Sequence, residues 1–179
     1  MERNIVQEIK TDRKLWFSMW FLGAIASFGI AFFPFFYYSV DRRNHHFQRQ
    51  YEFEQKVASS FNKDWHPIPP TKRDSKLWAA SIILILPVFA IAYFLSKDFN
   101  EHERHQHEFL ATFHPSGNHM SQWISIRTCA LITVTTLGFG IVYWLYKLVN
   151  VYNNHFKVQY HIEHELVQLM ETQSHVESV

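Results

Sequence analysis

"GFGIVYWLYKLVNVYNNHFKVQYHIE", residues 138–163, passes from an apolar run charged only at Lys147 into a polar arm, and "GIAFFPFFYYSVDRRNHHFQRQYEFE", residues 29–54, makes the same passage from an uncharged one. Laid one over the other without a gap, the two agree at Gly29/Gly138, Tyr37/Tyr146, Val40/Val149, Asn44/Asn153, His46/His155, Phe47/Phe156, Gln50/Gln159, Tyr51/Tyr160 and Glu54/Glu163. A fainter copy lies between them, where Tyr93, Asn100, His102, Gln106, Glu108 and Phe109 fall on Tyr37, Asn44, His46, Gln50, Glu52 and Phe53. The entrances also repeat, as "DRKLW" (12–16) and "DSKLW" (74–78). Self-similarity of this kind marks a chain assembled from one supersecondary unit.

Each unit opens with a run long enough to cross hydrocarbon as one helix of ~20 residues. The runs Leu15–Val40, Leu77–Leu95 and Thr128–Val149 hold no charge except Lys147, and aromatic residues make up 17% of the chain. Trp16, Trp20, Tyr37, Tyr38, Trp78, Tyr93, Trp123, Tyr143 and Trp144 sit near the ends of the runs, as an interfacial aromatic belt would require. The fold expected is therefore an all-α integral membrane protein of three kinked transmembrane helices with amphipathic polar helical arms. The spans cover about 15–40, 77–96 and 128–149, the arms about 41–63, 97–113 and 150–171, all in one domain. Ala31, Pro87 and Gly140 share a column, with Gly29 and Gly138 just before it, so each run has a weak point that invites a kink. Re-entrant hairpins bent at that column are the alternative. Asp12 and Asp74 are candidate helix caps. The segments 64–75 and 113–122 read as turns that end arms, and the tail from Glu171 as a frayed end.

In the arms, polar residues recur at four-residue steps: His46–Gln50–Glu54 and His155–Gln159–Glu163, with His102–Gln106 ending in Leu110. Beside them run apolar stripes, Phe47, Tyr51, Ala58 and Phe61 in the first arm and Phe156, Tyr160, Val167 and Met170 in the third. Three single crossings would put arms one and three on one face of the membrane, where their ladders can meet, and arm two on the other. The Lys/Arg bias mildly favours an outside N-terminus, which the run after it, too long for a cleaved signal, would retain as the first span.

"TLGFGIVYWLYK" (136–147) resembles the signature of a family of small uncharacterised prokaryotic multi-span membrane proteins with repeated TLGIYGxYWxYK-type spans. Thr136, Leu137, Gly138, Gly140, Tyr143, Trp144, Tyr146 and Lys147 carry the likeness once one residue is dropped between the glycines and one added after them. The resemblance implies a repeated, kinked helical span in a prokaryotic plasma membrane. It brings no catalytic residue.

The runs contain no Asp, Glu, Arg or His, which argues against a private ion or proton path. No nucleophile–base pair, phosphate loop or dinucleotide fingerprint is present, so no enzyme is expected. A net charge near +1 without a basic patch gives no reason to expect nucleic acid, and the single Cys129 excludes an intramolecular disulfide. The function expected is that of a non-catalytic accessory subunit or scaffold of a larger membrane assembly. Its partners would be the lipid bilayer, other integral membrane subunits or a second copy of the chain, and it would hold no cofactor. The alternative is a small transporter component, or a metal- or haem-handling protein in which His46, Glu54, His155, Glu163, His161 and His164 hold zinc, copper or iron. Set against the metal is an interhelical hydrogen-bond ladder of the same residues. Asn44, Asn100 and Asn153, one after each run, read as interface residues or, less simply, as substrate contacts.

Overall fold

The computed structural model describes residues 12–114 and 121–177, with side chains through Thr172. Helix α1 (Phe17–Ala26) is followed by α2 (Phe32–Ser60), α3 (Ser75–Ser81) with a 3₁₀ turn (Ile82–Leu84), α4 (Leu86–Phe113), α5 (Ile126–Thr135) and α6 (Gly140–Glu177). The all-helical class stands. The three crossings do not: among the described residues no helix is long and apolar enough to cross a membrane. Each expected span is instead cut in two by a reversal of the backbone.

The cut has a local cause. Phe28 and Gly29, like Leu137 and Gly138, occupy the left-handed region (φ 51°, 93°, 53° and 96°). A glycine N–H there reaches back to a carbonyl of the finished helix, Gly29 to Ala24 and Gly138 to Thr133, both at 2.7 Å. This is the closing bond of a helix C-terminal motif that needs φ > 0. A hydroxyl then caps the outgoing helix. Ser27 Oγ accepts from Ala31 N–H at 3.0 Å, and Thr136 Oγ1 from Gly140 N–H at 2.6 Å. The middle copy lacks both hydroxyl and glycine and breaks instead at Ile85 (φ 62°), with Pro87 in the first turn of α4. The breaks therefore fall just ahead of the Ala31/Pro87/Gly140 column, and they are turns rather than kinks.

Each unit is thus a hairpin of a short apolar limb and a long helix that begins apolar and ends polar. Trp20 packs on Phe35 and Tyr38, Trp78 on Phe94, and Gly140 lies so close to Ile132 and Thr133 that a β-carbon would meet their backbone at 2.7 Å. The polar halves of α2, α4 and α6 run side by side in one direction. Equivalent positions meet at each level: His46, His102 and His155, then Gln50, Gln106 and Gln159. Farther along, Phe53, Phe109 and Ile162, with Val57, Phe113 and Leu166, share one apolar cluster. Arm two is therefore in the same bundle as arms one and three. The expectation that Asn100 lies opposite Asn44 and Asn153 is overturned, because each apolar run doubles back on itself and all three arms leave for the same bundle.

A ring of asparagines closes the arrangement. Asn44 donates to Arg73 O at 2.7 Å and accepts from Arg73 N–H at 3.1 Å. Asn100 does the same to Ile124 (2.9 and 3.0 Å), and Asn153 to Leu15 (2.7 and 3.2 Å). The residue gripped is in each case the one before the N-cap of a short limb, so unit one holds unit two, unit two holds unit three and unit three holds unit one. These residues act as clasps between the units. Asp74 caps α3 as expected, whereas Asp12 does not cap α1 but turns to the bundle. The last helix runs on to Glu177 where fraying is expected, and most of the turn expected over 113–122 lies outside the described residues.

Candidate functional site

Two apolar clusters, one under the hairpins and one at the far end of the bundle, enclose a band of buried polar residues. At its centre are three imidazoles, one from the same repeat position of each long helix. Their ring centroids are 5.0, 5.2 and 5.3 Å apart. One side-chain nitrogen from each of His46, His102 and His155 lies within 4.8 Å of the other two.

Each ring is held from behind. His46 Nδ1 meets Asp12 Oδ1 at 3.1 Å and His155 Nδ1 meets Glu103 Oε1. His46 lies against Phe156 (4.4 Å) and His102 stacks on Phe47 (4.4 Å, 20° between planes). The residue one place after each histidine thus serves the histidine of the next unit, as Phe47 to His102, Glu103 to His155 and Phe156 to His46. Inside the triangle, His46 Nε2 and His155 Nε2 are 3.1 Å apart, and His102 Nε2 is buried without a hydrogen-bond partner. Burial drives the His46 imidazole down to about 4 and the His102 imidazole well below its usual range, so both are neutral at physiological pH.

Below the histidines, Gln106 donates to Gln159 and Gln159 to Gln50 (2.6 Å). Glu54 accepts from Trp65 Nε1 (3.0 Å) and pairs with His105 (2.9 Å), while Glu163 pairs with Arg49 (2.5 Å), which also holds Asp12 (2.5 Å). Burial raises the Glu163 carboxyl, opposed first by the charge of Arg49. For Asp12, burial acts upward but is overcome by the hydrogen bond and charge of His46 and the charge of Arg49, and the net direction is down.

The ladders of arms one and three do face each other, but the six residues expected as metal ligands separate. His46 and His155 converge. Glu54 and Glu163 are turned to different cations, and His161 and His164 are exposed because α6 points them away from the bundle. His102 completes the group in place of these four. Its signal was in the sequence, since His102 and Gln106 fall on His46 and Gln50 and His102–x–x–His105 sets two imidazoles on one helical face, but a topology that put arm two across the membrane kept it apart from His46 and His155. Glu103 had no pattern to announce it, and the repeated entrance announced Asp12 only as a helix cap.

At the other end, the hairpin tips expose their apolar side chains. Phe28 is 99% exposed, Leu137 92% and Phe139 82%, and Ile83, Leu84, Ile85 and Leu86 form the middle tip. No charged residue lies on any of these tips. No family model, curated protein or solved structure significantly matches the chain.

Proposed function

We propose that the protein is a monotopic membrane protein, set into one leaflet of a bilayer by its three hairpin tips, and that it acts there as a non-catalytic accessory or scaffold subunit. One observation carries the reading: three tips at one end of the molecule, uncharged and crowned by Phe28, Ile83–Leu86 and Leu137–Phe139. An apolar surface of this extent needs a membrane or a partner to cover it. The dimensions favour a leaflet. A ten-residue limb such as α1 or α5 is ~15 Å long, half of a ~30 Å hydrocarbon core. The turns themselves leave few backbone groups unpaired, as hydrocarbon demands, because the reversal is closed by its own hydrogen bonds. Trp16 and Trp123, exposed at the bases of the limbs, fit the depth of the headgroups.

The test is sided labelling. In a Cys129→Ala background, cysteines replace exposed Glu52, Glu101 and Lys157, one per arm, in sealed vesicles. All three react with an impermeant thiol reagent from the same side. Labelling of the Glu101 position from the opposite side would refute the leaflet reading and restore three crossings. Release of the protein by alkaline carbonate would refute insertion of either kind.

A further inference from the structure

We propose that His46, His102 and His155 together bind one divalent transition-metal ion of the zinc(II) class on the pseudo-three-fold axis of the bundle. The inference is independent of how the tips meet a membrane.

The argument begins with the outer nitrogens. Facing a carboxylate, His46 Nδ1 and His155 Nδ1 each carry the proton and donate it, to Asp12 and to Glu103. A neutral imidazole protonated at Nδ1 has a bare lone pair at Nε2. The structure then sets two such lone pairs 3.1 Å apart, with His102 Nε2 buried beside them and unpartnered. Converging lone pairs repel unless a cation lies between them. A proton shared between His46 and His155 would serve that pair alone and leave the buried His102 Nε2 unsatisfied. A metal ion satisfies all three at once.

The geometry suits the ion. With Zn–N bonds of ~2.0–2.1 Å, tetrahedral nitrogens lie roughly 3.3 Å apart, close to the separation of His46 and His155. The backing carboxylates are the outer-shell partners that fix tautomer and ring orientation in metal–histidine sites. Three imidazoles without a thiolate select zinc(II) or its neighbours over soft monovalent ions. One tetrahedral position is left for a solvent molecule or small anion. An open groove of about 660 Å³, walled by His102, Phe47, Gln50 and His105, borders the site on the side of α4.

The test uses the full chain, purified in mild detergent through a tag free of histidine and stripped with a chelator. Zinc(II) is titrated against a chromophoric competitor. We expect one ion per chain with a sub-micromolar Kd, and X-ray absorption of the zinc form showing three imidazole nitrogens at ~2.0–2.1 Å. His102→Ala should weaken binding at least 100-fold. Glu103→Gln, which keeps an acceptor behind His155 and so guards against loss of folding, should weaken it about 10- to 100-fold. His161→Ala with His164→Ala, both exposed, should change nothing. No binding at equimolar zinc, or absorption spectra without imidazole scattering, would overturn the proposal. So would affinity that survives His102→Ala but falls with the exposed pair.

Discussion

Removing one asparagine of the ring tests whether three units are held by one device. Asn153→Ala deletes both hydrogen bonds to the Leu15 backbone and a third from Arg42 Nη1 at 2.8 Å. Leu15 is buried and the Arg42 guanidinium is wholly enclosed, its affinity for the proton lowered by burial to a pKa of about 10. A buried polar group left without a partner costs ~1–3 kcal/mol. Two backbone groups are orphaned at Leu15. Asn153 itself is half-buried, so water reaches part of the gap, and the loss should be about 2–4 kcal/mol. In a chain of this size that lowers Tm by roughly 5–15 °C. Asn44→Ala and Asn100→Ala orphan the same two groups at Arg73 and Ile124, so each should cost at least ~2 kcal/mol. The assay is unfolding in mild detergent followed by circular dichroism, with all three variants measured side by side. A loss below ~0.5 kcal/mol at Asn100, with the other two sensitive, would show that the middle unit is not clasped and that the ring reasoning is wrong.

Other outcomes follow from the same geometry. Gly140→Ala should cost ~2–4 kcal/mol, because its β-carbon would meet the backbone of Ile132 and Thr133 at 2.7 Å and force the limbs apart; Gly23→Ala, with only the Ala31 β-carbon at 3.6 Å, should be near neutral in the same melts. Gly29→Ala has open space but a φ of +93°, and should lose ~1–2 kcal/mol through strain alone. The hydrogen bond and charge of Glu54 raise the His105 imidazole above its ordinary 6.5, with Glu108 adding to them. Their contribution to stability is complete below pH 6.5 and is lost as pH rises through the folded value; His105→Gln should flatten that alkaline slope, and an unchanged slope in pH-dependent melts would refute the pairing.

Much of the polar interior was legible in one dimension. A shared Asn-x-His-x-x-x-Gln column in each arm announces that equivalent residues do equivalent work, and four-residue spacing puts His46, Gln50 and Glu54 on one helical face opposite their counterparts. What each member touches was not legible. Glu54 and Glu163 occupy the same column yet meet His105 and Arg49, because the residues outside the column differ between units. Asp12 has the form of a helix cap, and only the neighbourhood of Arg49 and His46 draws it away from α1.

The apolar runs show where sequence stops. Residues 15–40, 77–96 and 128–149 are apolar, and uncharged but for Lys147, whether they go straight through hydrocarbon or fold back at half depth, since hydropathy sums side chains and carries no information on chain direction. The weak column at Ala31, Pro87 and Gly140 marks a place where the helix could yield, not how far. That was decided by a few backbone angles, left-handed at Phe28–Gly29, Ile85 and Leu137–Gly138, and by how closely Gly140 lets two limbs approach. The reversal then put all three arms on one side and brought His102 to His46 and His155. The repeat alone determined which residues are equivalent; only the tertiary structure decided that equivalent residues meet, because an odd or even number of passes through the apolar layer is a property of the backbone path.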